Sequence, residues 1–363
     1  MRRDDGLGGA SCRGMVSGLA LPISAGRPAE LDAQELRVAK TNPYYQGPPT
    51  DNFDGLRFFN PGEPDTDRSL GQMLRWKLAG GAAEWPKQVA VEPAVPEARA
   101  GGLRVTMVGH VTLLIQTAGL NILTDPVWSE RASPFRFAGP RRVTAPGIAF
   151  DDLPAIDAVL LSHNHYDHLD IATLKRLHAR DAPLIVTPLG NDAIVRRRIP
   201  KARIASGNWG ARFDLGAGVE AHIVPANHWS SRRVSDRRMA LWGGFMLRSP
   251  AGLVYFAGDT GYGEGRIFRA MREHHGPPDL ALIPIGAYAP EWFMSAQHCD
   301  PDEAVRIMLD LEARSALGIH WGTFQLTDEG RDEPARRLDE ALDERGVEAG
   351  RFVAAVPGMV WQG

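Results

Sequence analysis

The chain has 363 residues, of which 44% are apolar and 23% charged, and a formal net charge of −3. That balance excludes a nucleic-acid binder that works through overall positive charge. Two cysteines, Cys12 and Cys299, exclude a disulfide scaffold and a thiolate-rich zinc site, and no apolar run reaches the length of a membrane span.

In chain order, residues 1–100 are expected to form an N-terminal arm with short helices, flexible in part, and residues 101–363 a hydrolase domain. The segment Met15–Ile23 is short, apolar and preceded by arginines, but Asp4 and Asp5 interrupt the basic flank, so it has only part of an export signal. The expected location is therefore the cytoplasm, with peripheral membrane contact as an option and export as the alternative. A short helix is expected near residues 30–39. Residues 42–64 hold Tyr44, Tyr45, Phe53, Phe58 and Phe59 among turn formers. They read as an ordered arm laid over the main body or as a wall of a substrate entrance. A helix is predicted over Ser69–Leu78.

From Leu103 onward, short apolar or alternating runs predict strands. They fall at Arg104–Met107, Thr112–Gln116, Asn121–Thr124, Ala158–Leu161, Leu184–Thr187, Val219–Val224, Phe245–Arg248, Leu253–Phe256, Leu280–Pro284 and Ala316–Ile319. Helices are predicted at Ile171–Ala179, Asn191–Arg197, Gly265–Glu273, Asp302–Leu311 and Pro334–Glu344. Asp300 followed by Pro301 marks a helix start. Two sheets with helices on their outer faces satisfy this order, which is an α+β chain. The 39 glycines and 27 prolines belong to the loops between them.

The histidines gather where strands end. In LLSHNHYDHLD (residues 160–170), His163, His165, Asp167 and His168 follow one apolar run. Residues two apart in extended backbone point the same way, so His163 and His165 can meet one cation while a turn sends Asp167 and His168 to a second. Imidazole and carboxylate are ligands for Zn²⁺ or another first-row cation. His228, Asp259 and His320 each follow a later apolar run. Each is weak alone; together they complete two sets. One is His163, His165 and His228, the other Asp167, His168 and His320, with Asp259 between them. His110 reads either as a hydrogen-bond partner of a ligand or as structural.

HNHYDHLD with the spaced His228, Asp259 and His320 resembles the metallo-β-lactamase superfamily. That resemblance implies an αββα sandwich with its metals at one edge, here with the N-terminal arm added. The longer segments 123–142, 153–170, 255–262, 283–305 and 319–326 resemble the N-acylphosphatidylethanolamine-hydrolysing phospholipase D family, and FDGLRFFNP and LRW echo it upstream. The resemblance implies the same seven ligands, two Zn²⁺ with Mn²⁺ or Fe as substitutes, and a Gln–His pair near substrate at Gln297 and His298. It also implies a phospholipid or small phosphodiester substrate and a homodimer.

The expected reaction is hydrolysis of a phosphodiester, with Asp259 aligning the attacking water and His298 or the Tyr288 hydroxyl meeting the leaving group. The alternative is a lactonase or a hydrolase of a small phosphorylated metabolite. A non-catalytic metal-binding scaffold is the reading these residues favour least. The arginine pairs at 141–142, 196–198, 232–233 and 237–238 can attract phosphate, but singly each reads as surface solvation.

Overall fold

The structure, a computed structural model, describes residues 41–63, 66–348 and 350–363. Cys12, the segment Met15–Ile23 and the helix expected near residues 30–39 lie outside the described residues. A capping box at Ser69 starts the first helix, α1 (Leu70–Ala79).

The first sheet takes β1 (Arg104–Gly109), β2 (Thr112–Thr117), β3 (Leu120–Thr124), β4 (Ala158–Leu160), β5 (Leu184–Pro188) and β6 (Arg203–Gly207). The second takes β7 (Arg212–Gly216), β8 (Val219–Val224), β9 (Gly244–Ser249), β10 (Gly252–Phe256), β11 (Leu280–Pro284), β12 (Ser315–Ile319) and β13 (Phe352–Ala354). β14 (Val360–Gln362) returns to pair with β1. The strand orders are β14-β1-β2-β3-β4-β5-β6 and β13-β12-β11-β10-β9-β8-β7. Each sheet has an antiparallel half and a parallel half, and the parallel strands are β3 to β6 in one and β10 to β13 in the other.

Period-two alternation builds the layers. On β10, Val254 and Phe256 face the other sheet, where they meet Leu113, Ile115 and Leu160. Leu253 and Tyr255 face outward, beneath α4 (Arg266–His275), α6 (Pro301–Asp310) and α7 (Glu333–Glu344). On the first sheet Val159 and Ile185 face Leu174, Leu177, Ile194 and Val195 from α2 (Ile171–Arg180) and α3 (Asn191–Arg196). The result is helix, sheet, sheet, helix, the αββα sandwich expected from the sequence. At α6 the anticipated start is present: Asp300 accepts from Glu303 N at 2.8 Å, with Pro301 in the first turn.

Four strands have no counterpart in the sequence reading: β6, β7, β13 and β14. β6 and β7 carry Arg, Ser, Asp and Gly among few apolar residues, and β13 and β14 run only three residues each. All four are edge strands, with only short or half-exposed apolar stretches to mark them. The one-turn helix α5 (Glu291–Met294) is too short to show a helical period. Among the described residues no helix is long and apolar enough to cross a membrane.

Residues 42–60 are held against the second sheet and its loops by aromatics. Tyr45, Phe53 and Phe58 stack on one another, with Phe53 and Phe58 centroids 4.5 Å apart, and pack against Ala226, Leu241 and Trp242. Asn60 then donates to the His228 carbonyl at 3.0 Å and accepts from Trp242 Nε1 at 3.0 Å. Residues 89–98 run along the first sheet, tied by Ala94 N to Gly147 O at 2.7 Å and by Gln116 Nε2 to Glu97 O at 2.9 Å. Removing a fully buried aromatic leaves a cavity that such a segment cannot close. Phe58→Ala is expected to cost about 3–5 kcal/mol of stability in urea unfolding monitored by tryptophan fluorescence.

Candidate metal centre

The strands deliver the predicted ligands to one edge of the sandwich. His163, His165, Asp167 and His168 follow β4, His228 follows β8, Asp259 follows β10 and His320 follows β12. β8 and β10 flank β9 antiparallel to both and therefore point the same way. Open α/β sheets place ligand sites beyond the carboxyl ends of their parallel strands, and this edge follows that rule.

Two groups form there. In the first, His165 Nδ1 lies 2.9 Å from His163 Nε2 and 3.2 Å from His228 Nε2, and Asp259 Oδ2 lies 3.6 Å from His228 Nε2. In the second, Asp167 Oδ2 lies 3.2 Å from His320 Nε2 and 3.5 Å from His168 Nε2. Asp259 belongs to both: its Oδ2 is 3.1 Å from His168 Nε2 and its Oδ1 is 3.2 Å from His320 Nε2. Ligand atoms about 2.0–2.1 Å from a tetrahedral Zn²⁺ lie roughly 3.4 Å from each other, so these separations suit a first-row cation. Within each group, one donor atom per residue lies within 4.8 Å of the others.

Hydrogen bonds behind the rings fix which nitrogen faces the gap. His168 Nδ1 is 2.7 Å from Asp125 Oδ2, His228 Nδ1 is 2.8 Å from the Gln297 carbonyl, and His163 Nδ1 is 2.9 Å from Ser162 Oγ. Each leaves Nε2 toward the centre, the arrangement that orients imidazole ligands. His168 Nε2 and Asp259 Oδ1 are buried with no hydrogen-bond partner. Buried polar atoms left so are costly unless a cation meets them. The residues therefore fit a dinuclear metal site.

In the second group burial lowers His168 and His320, but Asp259 and Asp167 outweigh it and hold His168 well above the usual imidazole range and His320 at about 9. These two therefore carry the positive charge that a bound cation would supply. The first group behaves differently. Burial lowers His163 well below the usual imidazole range and lowers His165 and His228 to about 3, which keeps them neutral as ligation requires. Burial pushes Asp259 and Asp167 up, but the facing imidazoles, His168 foremost, outweigh it and hold both well below the carboxylate range. Both carboxylates are thus ionised acceptors.

His110, left open by the sequence, stands 3.0 Å from Asp167 Oδ2 through Nε2 and holds that carboxylate in place. The sequence reading missed Asp125. Its Oδ1 accepts from Ser162 N at 2.7 Å while its Oδ2 holds His168. The signal was there: Asp125 follows an apolar strand, as Asp259 does, and Pro126 ends that strand.

The residues expected near substrate are placed differently from one another. His298 joins the cluster, its ring centroid 5.0 Å from His228 and 5.5 Å from His320, with Nδ1 buried and unpartnered. Gln297 orients His228 through its backbone carbonyl, and its side chain is turned toward Met294 Sδ at 3.3 Å. Tyr288 is expected as a donor to a leaving group. Instead its hydroxyl donates to Glu333 at 2.9 Å and its ring lies under Arg337, on the side of α7. Its phenol is spent within the helix layer.

Three comparisons place this geometry among known proteins. A family model described as a beta-lactamase superfamily domain matches residues 120–321. The chain is similar to an N-acyl-phosphatidylethanolamine-hydrolyzing phospholipase D 1 from Caenorhabditis elegans, 38% identical over 271 residues, covering 72% of this chain and 76% of that protein. It is also 37% identical over 233 residues to a mitochondrial protein of the same description from Saccharomyces cerevisiae, covering 63% of this chain and 49% of that one. In fold it resembles an isothiocyanate hydrolase from Delia radicum gut bacteria, with a TM-score of 0.55 and 21% identity over 71% of this chain and 98% of that one.

Asp125 supplies a test of the ring-orienting network. Asp125→Asn is expected to weaken metal binding roughly 10–100-fold, read by competition with a chromogenic chelator, while far-UV circular dichroism stays at wild type.

Proposed function

Because the chain belongs to the metallo-β-lactamase superfamily, we propose that its metal-dependent hydrolase centre serves a phosphodiesterase of phospholipase D type. The substrate class is N-acylphosphatidylethanolamine or a related phosphodiester. The observation that carries the reading is Asp259 facing both ligand groups at once, its Oδ2 3.6 Å from His228 of the first and its Oδ1 3.2 Å from His320 of the second. Displacement at phosphorus has an attacking and a departing oxygen, and a two-cation centre suits both.

Residues His163, His165 and His228 would hold one cation, Asp167, His168 and His320 the other, and Asp259 both; Zn²⁺ is the first choice, with Mn²⁺ or Fe as substitutes. When bound, such a pair lowers the pKa of water toward neutrality and stabilises charge on the phosphoryl oxygens. The chain's own residues do the rest. Asp259 fixes the spacing of the two groups and leaves no free base function for itself, because both its oxygens face ligand atoms. His298, lowered to about 3 chiefly by burial, is a neutral imidazole at pH 7. Its unpartnered Nδ1 is a hydrogen-bonding site for a substrate oxygen on the departing side. The water oxygen becomes bonded to phosphorus, the distal P–O bond breaks, and the departing alkoxide leaves as an N-acylethanolamine after taking a proton.

An apolar surface beside this turn favours a lipid substrate. α5 precedes Gln297 and His298, its Phe293 stacks on Trp76 of α1 at 4.9 Å, and Trp292 is 45% exposed. Met73, Leu74 and Leu78 of α1 are also exposed, Leu78 at 83%. The relative in Caenorhabditis elegans is described by activity on the same lipid class.

The experiment is metal analysis of the purified protein, followed by parallel release assays on N-acylphosphatidylethanolamine micelles, a soluble phosphodiester and lactones. Equimolar N-acylethanolamine and phosphatidic acid are expected from the lipid. Activity confined to lactones would overturn the substrate. His163→Ala and Asp259→Ala are expected to lose metal and to fall below roughly a thousandth of wild-type kcat/KM. His298→Ala should retain metal yet lose about 100-fold in kcat.

A further inference from the structure

The structure sorts the arginine pairs of the sequence into two classes. Arg237 and Arg238 both bind Asp67, Arg141 faces Glu130 at 3.7 Å, and Arg142 is half-buried, donating to the Val127 carbonyl at 2.7 Å. Arg196 donates to the Ile204 carbonyl at 3.0 Å. These guanidiniums are spent on the fold. Among the described residues, Arg136, Lys175, Arg197, Arg198 and Arg233 form no ion pair, and all five are exposed.

Those five line one cavity of about 870 Å³, together with Arg131 and Arg232. Seven cations there face two carboxylates. Asp170 caps α2 and accepts from Thr173 Oγ1 at 2.6 Å, and Glu130 faces Arg141. In a chain of net charge −3 this is a concentrated positive field. Like charges left unpaired around a concavity repel one another, and an anion relieves that repulsion.

The floor is fixed. Arg232 donates through Nη1 to the carbonyls of Asn164 and Leu169, both at 2.9 Å, and its guanidinium lies 3.9 Å over the Tyr166 ring. A guanidinium held this way loses little freedom on binding phosphate. The seven metal-centre residues lie outside the cavity lining, although Tyr166 and Leu169 belong to the same loop as four of them. The volume falls within the range of small-ligand pockets.

We propose that this cavity is a binding site, separate from the metal centre, for a phosphate-bearing anion with two or more negative charges. The site is independent of the substrate assigned to the metals. The rim adds Phe135 and Phe137, 56% and 82% exposed, with centroids 5.5 Å apart, on the loop that carries Arg131 and Arg136. A soluble phosphorylated compound and a lipid-borne phosphate share the recognised chemistry; apolar side chains beside cations suit the second.

The test uses the full chain at low ionic strength with two probes. One is inorganic pyrophosphate, followed by calorimetry. The other is phosphatidylcholine vesicles with and without phosphatidic acid, followed by co-sedimentation. The wild type is expected to bind at least one probe, and Lys175→Glu/Arg197→Glu/Arg198→Glu to weaken that binding roughly 100-fold. Arg197→Gln/Arg198→Gln gives the same direction if the triple variant does not fold. His163→Ala should bind as wild type does, because the site lies away from the metals. Loss of vesicle but not pyrophosphate binding in Phe135→Ser/Phe137→Ser identifies a lipid source; unchanged binding of both identifies a soluble one. The proposal is overturned if wild type binds neither probe, if the arginine variants bind undiminished, or if pyrophosphate binding disappears with His163→Ala.

Discussion

A single ionised carboxylate, Asp259, buried among four imidazoles, is the constraint on which the rest of the molecule depends. It is 3% exposed and faces His163, His168, His228 and His320 within 3.8 Å. A lone buried anion costs several kcal/mol, and imidazole lone pairs turned toward one another repel. Positive charge in the gap resolves both at once. The fold's contribution is to bring the carboxyl ends of β4, β8, β10 and β12, from two different sheets, to one edge, so that no strand needs more than a short turn to place its ligand.

Those turns are strained. His110, Asp125 and His320 have φ of 58°, 30° and 63°, in the left-handed region that disfavours residues with a Cβ. Each such residue costs on the order of 1–2 kcal/mol and persists only where the surroundings hold it. Here the surroundings are specific: His320 N donates to the His110 carbonyl at 2.8 Å, tying two strained turns together. Asp125 is held by Ser162 on one oxygen and His168 on the other. So turned, His320 reaches Asp167 and Asp259, His110 reaches Asp167, and Asp125 stands behind His168. Strain and ligand geometry are one feature.

This explains what could be read from the amino-acid order. The inner strands read as short continuous apolar runs because both faces are buried, Val254 and Phe256 against the other sheet, Leu253 and Tyr255 under helices. His163, His165, Asp167 and His168 are legible because four ligands follow one strand within six residues. Asp125 was not singled out, since a carboxylate that touches an imidazole's far nitrogen has no spacing rule; its partner lies 43 residues away. Tyr288 read as a free donor because nothing near it in sequence competes for its hydroxyl, yet Glu333 lies 45 residues on. The cations of the large cavity were equally mixed in sequence with structural arginines. Only the placement of carboxylates distinguishes Arg237, held by Asp67, from Arg197.

The centre is assembled from loops, yet those loops are not free to move separately. Thr260, fully buried beside Asp259, accepts from Asn227 N through Oγ1 at 3.0 Å and from Cys299 N through its carbonyl at 2.9 Å. Asn227 precedes His228 and Cys299 follows His298. One threonine therefore links the loop of a first-group ligand, the loop of the shared carboxylate and the turn that presents His298. Gly261 N closes the stitch on the Asn227 carbonyl at 2.8 Å. Glu329 does similar work on the preceding segment, accepting from Ala287 N at 2.6 Å and Ala289 N at 3.2 Å. Backbone groups that a regular strand would have paired are paired across loops instead, which satisfies them and fixes the side chains between them. A centre whose ligands come from four strand ends keeps its geometry because its loops are bonded to one another.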